Sequence, residues 1–265
     1  MASPGTDAGI EGPRAYRLRT LQLGPMDNLV YVIEDQASRC AAVIDPAWDV
    51  DAIARVIDED GLSLTDILIT HGHDDHVNGL EALLARYPAS VHVSAREADF
   101  WHAATSGAVD VGPPPDRCAE VWSAPPPARL EVHSGDTHIE VGNLRVEAMI
   151  TPGHSPGGCC YRIGNALFTG DTLFIYGCGR CDLPGSDPAA MFHSLRMLSE
   201  QIPDEVSIHP GHHYAAQPST TMAEQRRANP FLHLDAEAAF IAFRAEHNRH
   251  RLPPYRPIPR GRPAW

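Results

Sequence analysis

The chain has no lysine: all 21 of its basic residues are arginine. Schiff-base and lysine-nucleophile chemistry are therefore excluded. Arginine is the only permanent cation left to meet an anionic substrate. Nor is there a run of about 18 apolar residues of the kind that crosses a bilayer. The segment Met1–Pro13 is small and acidic, without the basic start and apolar stretch of a secretory leader. A cytoplasmic location with no membrane partner is the expectation. Positive charge is also scarce: the formal net charge of −13 argues against a nucleic-acid partner. The six cysteines contain a single CxxC, Cys178-Gly-Arg-Cys181, with no second pair to complete a four-cysteine zinc site. In a cytosolic chain of this size reduced thiols are the plain expectation.

What is present is a 265-residue chain with 43% hydrophobic residues, enough for one large α/β domain or a domain with an extension. Short, partly alternating strands are expected at Tyr16–Leu23, Leu29–Glu34 and Cys40–Asp45. Helical spacing follows over Val50–Asp60. Thr65–Thr70 reads as a buried strand, His76–Tyr87 as a helix and Val91–Val93 as another strand. Two proline triplets, at 113–115 and 125–127, make Ser106–Pro127 a loop, in a place where it could line an entrance. Strands resume at Leu130–Val132, Thr137–Val141, Leu144–Ile150, Cys159–Ile163 and Ala166–Thr169. A helix is expected at Pro188–Gln201, a strand at Glu205–Ile208 and two helices within Thr220–His247. The Pro/Arg-rich tail Leu252–Trp265 reads as extended. Two strand-rich halves on either side of the proline loop suggest two central sheets flanked by helices.

The densest chemistry lies in Thr70-His71-Gly72-His73-Asp74-Asp75-His76, where an apolar strand runs into a helix. Imidazole and carboxylate together suit zinc, iron or manganese. At a strand end the irregular backbone lets His71 and His73 point one way while Asp75 and His76 point another.

His71-Gly-His-Asp-Asp-His76 resembles the HxHxDH motif of the metallo-β-lactamase superfamily, and the other markers of that superfamily follow in order. Thr151-Pro-Gly-His154-Ser-Pro-Gly157 is similar to its second metal loop, and Thr169-Gly-Asp171-Thr-Leu-Phe174 to its bridging-carboxylate loop. Pro210-Gly-His212-His-Tyr214 is similar to its last histidine loop. The resemblance spans about residues 15–215 and implies a four-layer α/β/β/α sandwich. Residues 1–14 would be a flexible N-terminus, and 216–265 a short helical C-terminal extension with its tail. It further implies that His71, His73 and His154 hold one metal, that Asp75, His76 and His212 hold a second, and that Asp171 bridges both. Such a pair, most simply zinc with iron or manganese as alternatives, would generate a metal-bound hydroxide. His73 and Asp75 would then be catalytic as well as ligating, Asp75 orienting the nucleophile.

Gly177-Cys-Gly-Arg180 narrows the resemblance to glyoxalase II, a thioester hydrolase, and the related persulfide dioxygenases. In glyoxalase II a basic residue after GCG and a tyrosine after the last histidine contact glutathione. These match Arg180 and Tyr214, and Arg244 falls loosely where further basic residues would come. Arg180 also has a purely structural reading, an ion pair with Asp182. Cys178-Gly-Arg-Cys-Asp182 and the segment from Thr220 through Asn229-Pro230 resemble the dioxygenases, which imply a single Fe(II) on residues matching His71, His154 and Asp171. A third reading keeps thioester hydrolysis but puts the acyl group on a carrier protein or coenzyme A. The substrate is thus expected to be a small-molecule or carrier-linked thioester, with oligomerisation open. A non-catalytic binding module of the same fold is the remaining alternative, and the presence of all seven ligand residues speaks against it.

Overall fold

The structure, a computed structural model, describes residues 16–108, 129–250 and 253–261. The expected N-terminal segment and most of the proline-rich loop lie outside those residues. The elements run β1 (Tyr16–Leu23), β2 (Asn28–Asp35), β3 (Cys40–Ile44), α1 (Val50–Glu59), β4 (Ser63–Leu68), α2 (Asp74–Val77), α3 (Leu80–Arg86), β5 (Ser90–Ser94), α4 (Ala95–Thr105) and β6 (Leu130–His133). The second half continues with β7 (Thr137–Val141), β8 (Leu144–Ile150), β9 (Cys159–Ile163), β10 (Ala166–Gly170), β11 (Leu173–Phe174), β12 (Gly177–Cys178), α5 (Pro188–Gln201), β13 (Ser207–Pro210), β14 (Thr220–Thr221), α6 (Met222–Ala228), a 3-10 turn at Pro230–His233 and α7 (Glu237–His250).

Alternation along the strands builds the layers, because successive side chains leave a strand on opposite faces. On β2, Val30 and Val32 pack outward against α1 and α3, in a core with Ile53, Ile57, Leu80 and Leu83. Tyr31 and Ile33 face inward and meet Val146, Tyr161 and Phe168 of the second sheet. On the far side, Cys160 and Leu167 pack with Leu195, Leu198, Phe231 and Phe240. The result is helix, sheet, sheet, helix: the α/β/β/α sandwich expected above. One sheet is ordered β1-β2-β3-β4-β5-β6 and the other β14-β13-β10-β9-β8-β7, with β11 and β12 a small separate hairpin. Within the first sheet β3, β4, β5 and β6 pair in parallel, so the carboxyl ends of β3 and β4 open on the same edge.

Local chemistry explains where elements start and stop. Asp49 caps α1 by accepting from Ala52 N, and Asp187 caps α5, with Pro188 in its first turn. The expected helix His76–Tyr87 is instead two: α2 begins at Asp74 and stops before Gly79. Gly79 N donates to the Pro46 carbonyl at 3.1 Å instead of continuing the α2 ladder, and a Cβ there would sit 2.8 Å from that oxygen, so the position suits glycine. Helix α4 had no expectation from spacing; Ser94 Oγ starts it by capping Glu97 N at 3.2 Å. No described helix is long and apolar enough to cross a membrane.

Candidate metal centre

The site forms where strand ends of both sheets meet. Strand β4 stops at Leu68; beyond it Ile69 N still donates to the His92 carbonyl at 3.0 Å and the Thr70 carbonyl accepts from Cys159 N at 2.8 Å, which leads the chain toward the second sheet. Asp45, at the end of β3, takes over: it accepts from Thr70 N at 2.7 Å and from Thr70 Oγ1 at 2.5 Å. Asp45 itself has φ of 50°, a left-handed backbone that aspartate tolerates better than most residues. Gly72 N donates at 2.8 Å to Glu97 Oε1, while Glu97 Oε2 accepts from Ser155 Oγ at 2.8 Å and Gly157 N at 2.9 Å. One buried carboxylate on α4 therefore ties the loop of His71 and His73 to the loop of His154.

Two triads result. His71, His73 and His154 form one, and Asp75, His76 and His212 the other, with the ligand atoms of each within 4.8 Å of one another. Asp171, in the loop after β10, stands between them. Its Oδ2 lies 3.4 Å from His154 Nε2, and its Oδ1 lies 3.4 Å from both His76 Nε2 and His212 Nε2. All seven ligand residues expected from the sequence thus come together, each buried or nearly so.

Each imidazole is turned by a partner on its far side. His154 Nδ1 meets the Arg180 carbonyl at 2.8 Å, and His212 Nδ1 meets the Met26 carbonyl at 2.8 Å. His76 Nδ1 lies 3.0 Å from Asp45 Oδ2, and His71 Nδ1 lies 3.1 Å from Thr70 Oγ1. An N–H spent outward leaves the Nε2 lone pair pointing inward, the arrangement that orients histidine toward a metal. His73 is the exception and turns Nδ1 toward His154 Nε2, at 2.9 Å. His71 Nε2 and Asp171 Oδ1 are buried with no hydrogen-bond partner. Buried polar atoms left unsatisfied and converging on one point fit a cation well, and the nitrogen and oxygen donor set fits zinc, iron or manganese.

The electrostatics divide the triads. Burial, then the neighbouring His76, pushes His71 well below the ordinary histidine range. Burial, then His154, takes His73 down to about 3. These rings stay neutral, with lone pairs available. Burial opposes protonation of His76 as well, yet Asp75, Asp171 and Asp45 outweigh it and raise the ring to about 10. Burial disfavours the Asp171 carboxylate, but His212, His76 and His154 hold it well below the usual range. The negative field that draws protons to the second triad is also one that draws a cation.

The candidate substrate residues fall into different settings. Tyr214 stacks on His212 with ring centroids 4.6 Å apart and planes 7° from parallel. Arg180 makes a two-pronged pair with Asp182, Nε to Oδ1 at 2.7 Å and an Nη to Oδ2 at 2.9 Å, with more than half of its side chain exposed. Arg244 is buried, donating to the Cys178 carbonyl at 3.2 Å with its guanidinium 5.1 Å from the centre of the Phe231 ring. It is not gathered with the two triads.

Several residues that hold the site escaped the sequence. Asp45, Glu97 and Asn28 lie outside every motif. Asn28 Nδ2 donates to Asp75 Oδ2 at 3.0 Å and to the Asp75 carbonyl at 2.9 Å, and Trp48 Nε1 holds Asn28 Oδ1 at 2.7 Å. Asp45 offered one signal, a carboxylate directly after a buried apolar strand; Glu97 and Asn28 offered none.

Comparison with known proteins agrees with this geometry. The profile of the Metallo-beta-lactamase superfamily matches residues 23–212, and the chain belongs to that superfamily. It is 32% identical over 222 residues to the probable polyketide biosynthesis zinc-dependent hydrolase PksB of Bacillus subtilis, covering 84% of this chain and 89% of that protein. It is 32% identical over 256 residues to a hydroxyacylglutathione hydrolase of Maricaulis maris, again covering 84% and 89%. Among solved structures it is similar to ETHE1 of Myxococcus xanthus, with TM-score 0.71 and 29% identity, over 89% of this chain and 93% of that one. The chain therefore stands among the glyoxalase II-like and ETHE1-like members, as its motifs suggested.

Proposed function

We propose that the protein hydrolyses a thioester at a two-metal centre, adding water across the acyl–sulfur bond to release a carboxylic acid and a thiol. The carrying observation is Asp171, whose two oxygens each face a different, complete triad. Two nearby cations need an anion between them to offset their repulsion, and Asp171 is placed to be that anion, although a single-iron site on His71, His154 and Asp171 can retain the same second triad. The names of the relatives support the reaction class, since an acylglutathione is a thioester and PksB is called a zinc-dependent hydrolase.

In this reading His71, His73 and His154 would hold one ion and Asp75, His76 and His212 the other, with Asp171 available to both. Bound divalent ions, most simply zinc, supply Lewis acidity and make water a nucleophile at neutral pH. Asp75, fixed by Asn28, carries its Oδ2 3.5 Å from His76 Nε2 and 3.4 Å from His212 Nε2, where it can also accept a proton from attacking water. A thiolate is a good leaving group, so departure needs no dedicated acid. Arg180 and Tyr214 flank the centre as substrate contacts, and a carboxylate-bearing thiol would have to draw Arg180 away from Asp182. Arg244 would act from behind, by holding the Cys178 carbonyl. The partner is then a thioester of a small thiol or of a carrier, coenzyme A or a carrier protein included.

The second reading, a single-iron persulfide dioxygenase, draws on Cys178-Gly-Arg-Cys-Asp182 and on the likeness to ETHE1. Elemental analysis of protein purified without added metal or chelator separates the two. About two ions per chain, together with turnover of glutathione, coenzyme A or carrier-protein thioesters, supports hydrolysis. One iron per chain, with oxygen uptake on glutathione persulfide, replaces it.

A further inference from the structure

The two flanks of the centre differ in chemistry. On the His154 side stands the Arg180–Asp182 pair. On the His212 side stands a set of three aromatic rings. Phe174 meets His212 edge-on at 5.8 Å and Tyr214 at 5.4 Å. The third ring, Tyr255, comes from the C-terminal segment, 41 positions after Tyr214, and lies 5.9 Å from Tyr214 and 6.4 Å from Phe174.

Tyr255 is held in place by backbone. Its N–H donates to the Tyr214 carbonyl at 2.5 Å, and three residues on Ile258 N donates to the Ala228 carbonyl at 2.8 Å. The ring presents its Cδ2–Cε2 edge to Gly177, where a Cβ would come within 2.7 Å of both carbons. Both Tyr214 and Tyr255 are half-buried, so the row of rings runs from a buried ligand, His212, out to the surface. The prolines and arginine on either side of Tyr255 are exposed. A tail that is expensive to order is held here by the Tyr255 ring, by these backbone hydrogen bonds and by the Arg260–Asp235 pair, with Tyr255 at the edge of the metal centre.

We infer that Tyr255 is a specificity-determining residue, closing with Phe174 and Tyr214 an aromatic wall that receives the apolar arm of the thioester. This rests on the proposed hydrolysis. Aromatic faces remove hydrocarbon from water and offer no fixed charge, so the arm they suit is an alkyl chain, borne either on the acyl carbon or on the sulfur.

The test uses full-length, metal-loaded protein and two substrate series. In one the acyl group of an N-acetylcysteamine thioester grows from acetyl to decanoyl; in the other acetyl stays constant and the thiol grows from methyl to decyl. The series in which kcat/KM rises with length identifies the arm. In that series Tyr255→Ala should flatten the rise, with a loss of about tenfold or more at the longest chain, carried by KM rather than kcat. Tyr255→Phe should restore the rise, and Gly177→Ala, which displaces the ring without removing it, should blunt it. Calorimetry with a decyl thioether reads the same wall without turnover and should show binding weakened in Tyr255→Ala and retained in Tyr255→Phe. Metal content and unfolding temperature certify each variant as folded. Equal length dependence in wild type and Tyr255→Ala, or equal thioether affinity, overturns the inference. Absence of turnover by wild type in both series and on glutathione, coenzyme A and carrier-protein thioesters overturns the hydrolase proposal instead, and the thioether measurement then still decides the role of Tyr255.

Discussion

Asp171 and Asp45 act on the same ring from opposite sides. Asp171 Oδ1 lies 3.4 Å from His76 Nε2, and Asp45 Oδ2 lies 3.0 Å from His76 Nδ1. One carboxylate stands inside the metal centre and the other behind it, and the imidazole between them has no freedom to turn.

The first expectation concerns the inner carboxylate. Asp171→Ala removes the anion between the triads, so two cations can no longer share the site. Metal content should fall to one ion per chain or fewer, and hydrolysis by at least about 100-fold. Elemental analysis and thioester kinetics on the same preparation check both. Two retained ions would remove Asp171 from its bridging role.

The outer carboxylate should matter less, and differently. Asp45→Asn keeps the shape but weakens the hold on Thr70 and His76. Metal affinity, measured by competition with a chelator, should drop by roughly 10- to 100-fold. Activity should recover when metal is added in excess. Loss that excess metal does not restore would mean that Asp45 does more than orient His76.

His73→Ala separates the two reactions. A binuclear hydrolase loses a ligand of its first ion and should retain about 1% of its activity or less. A single-iron dioxygenase built on His71, His154 and Asp171 does not use His73, and its oxygen uptake should survive. Cys181→Ala is the control, since that thiol makes a hydrogen bond to the Gly179 carbonyl at 3.7 Å, packs at the margin of the core and is not one of the seven ligands.

Glu97 should be a stability residue that shows itself at the metal centre. Its two oxygens accept three donors, two of them on Oε2. Glu97→Gln puts an amide NH2 where one oxygen accepted, leaving buried donors facing a donor. The cost should be about 2–3 kcal/mol, visible as a lower unfolding temperature in metal-free protein. An unchanged unfolding temperature would show that the loops do not need this tie.

A pH effect on stability is expected from Asp35, far from the centre. Ser38 Oγ, then Asn143 and Ala37, donate to its carboxylate, and they outweigh burial to lower its pKa from 3.8 to about 2. A group depressed in the folded state stabilises that state above the unfolded pKa and loses the effect as pH falls through the folded one. About 1–2 kcal/mol should therefore be present above pH ~4 and gone near pH ~2. Asp35→Asn should lower the unfolding temperature at pH 7 and erase the difference from wild type near pH 2.

The legible part of the site was the part that lies close together in the chain. His71, His73, Asp75 and His76 sit within six residues, and their strand-to-helix context follows from apolar spacing. The loops of His154, Asp171 and His212 were readable because each carries a short pattern in the expected order. Asn28 and Glu97 were not readable: each acts across 47 or more positions or across two loops, through hydrogen bonds that local spacing does not encode. The helix expected over His76–Tyr87 missed its break for the same reason, since Pro46 lies far back in the chain and touches Gly79 only after folding.

The sequence by itself determined most strands and helices and two sheets flanked by helices, because periodicity is a local property, and its short motifs, by their resemblance to the metallo-β-lactamase superfamily, pointed to the four-layer sandwich and to the seven converging side chains. The tertiary structure decided which nitrogen each histidine turns inward, which way each oxygen of Asp171 faces, and that Arg180 spends its fork on Asp182 while Arg244 is buried behind Cys178. It also decided that Tyr255 of the tail meets Tyr214 beside the centre. These are matters of orientation between distant segments, and they depend on packing that forms only when both sheets and the C-terminal helices are in place.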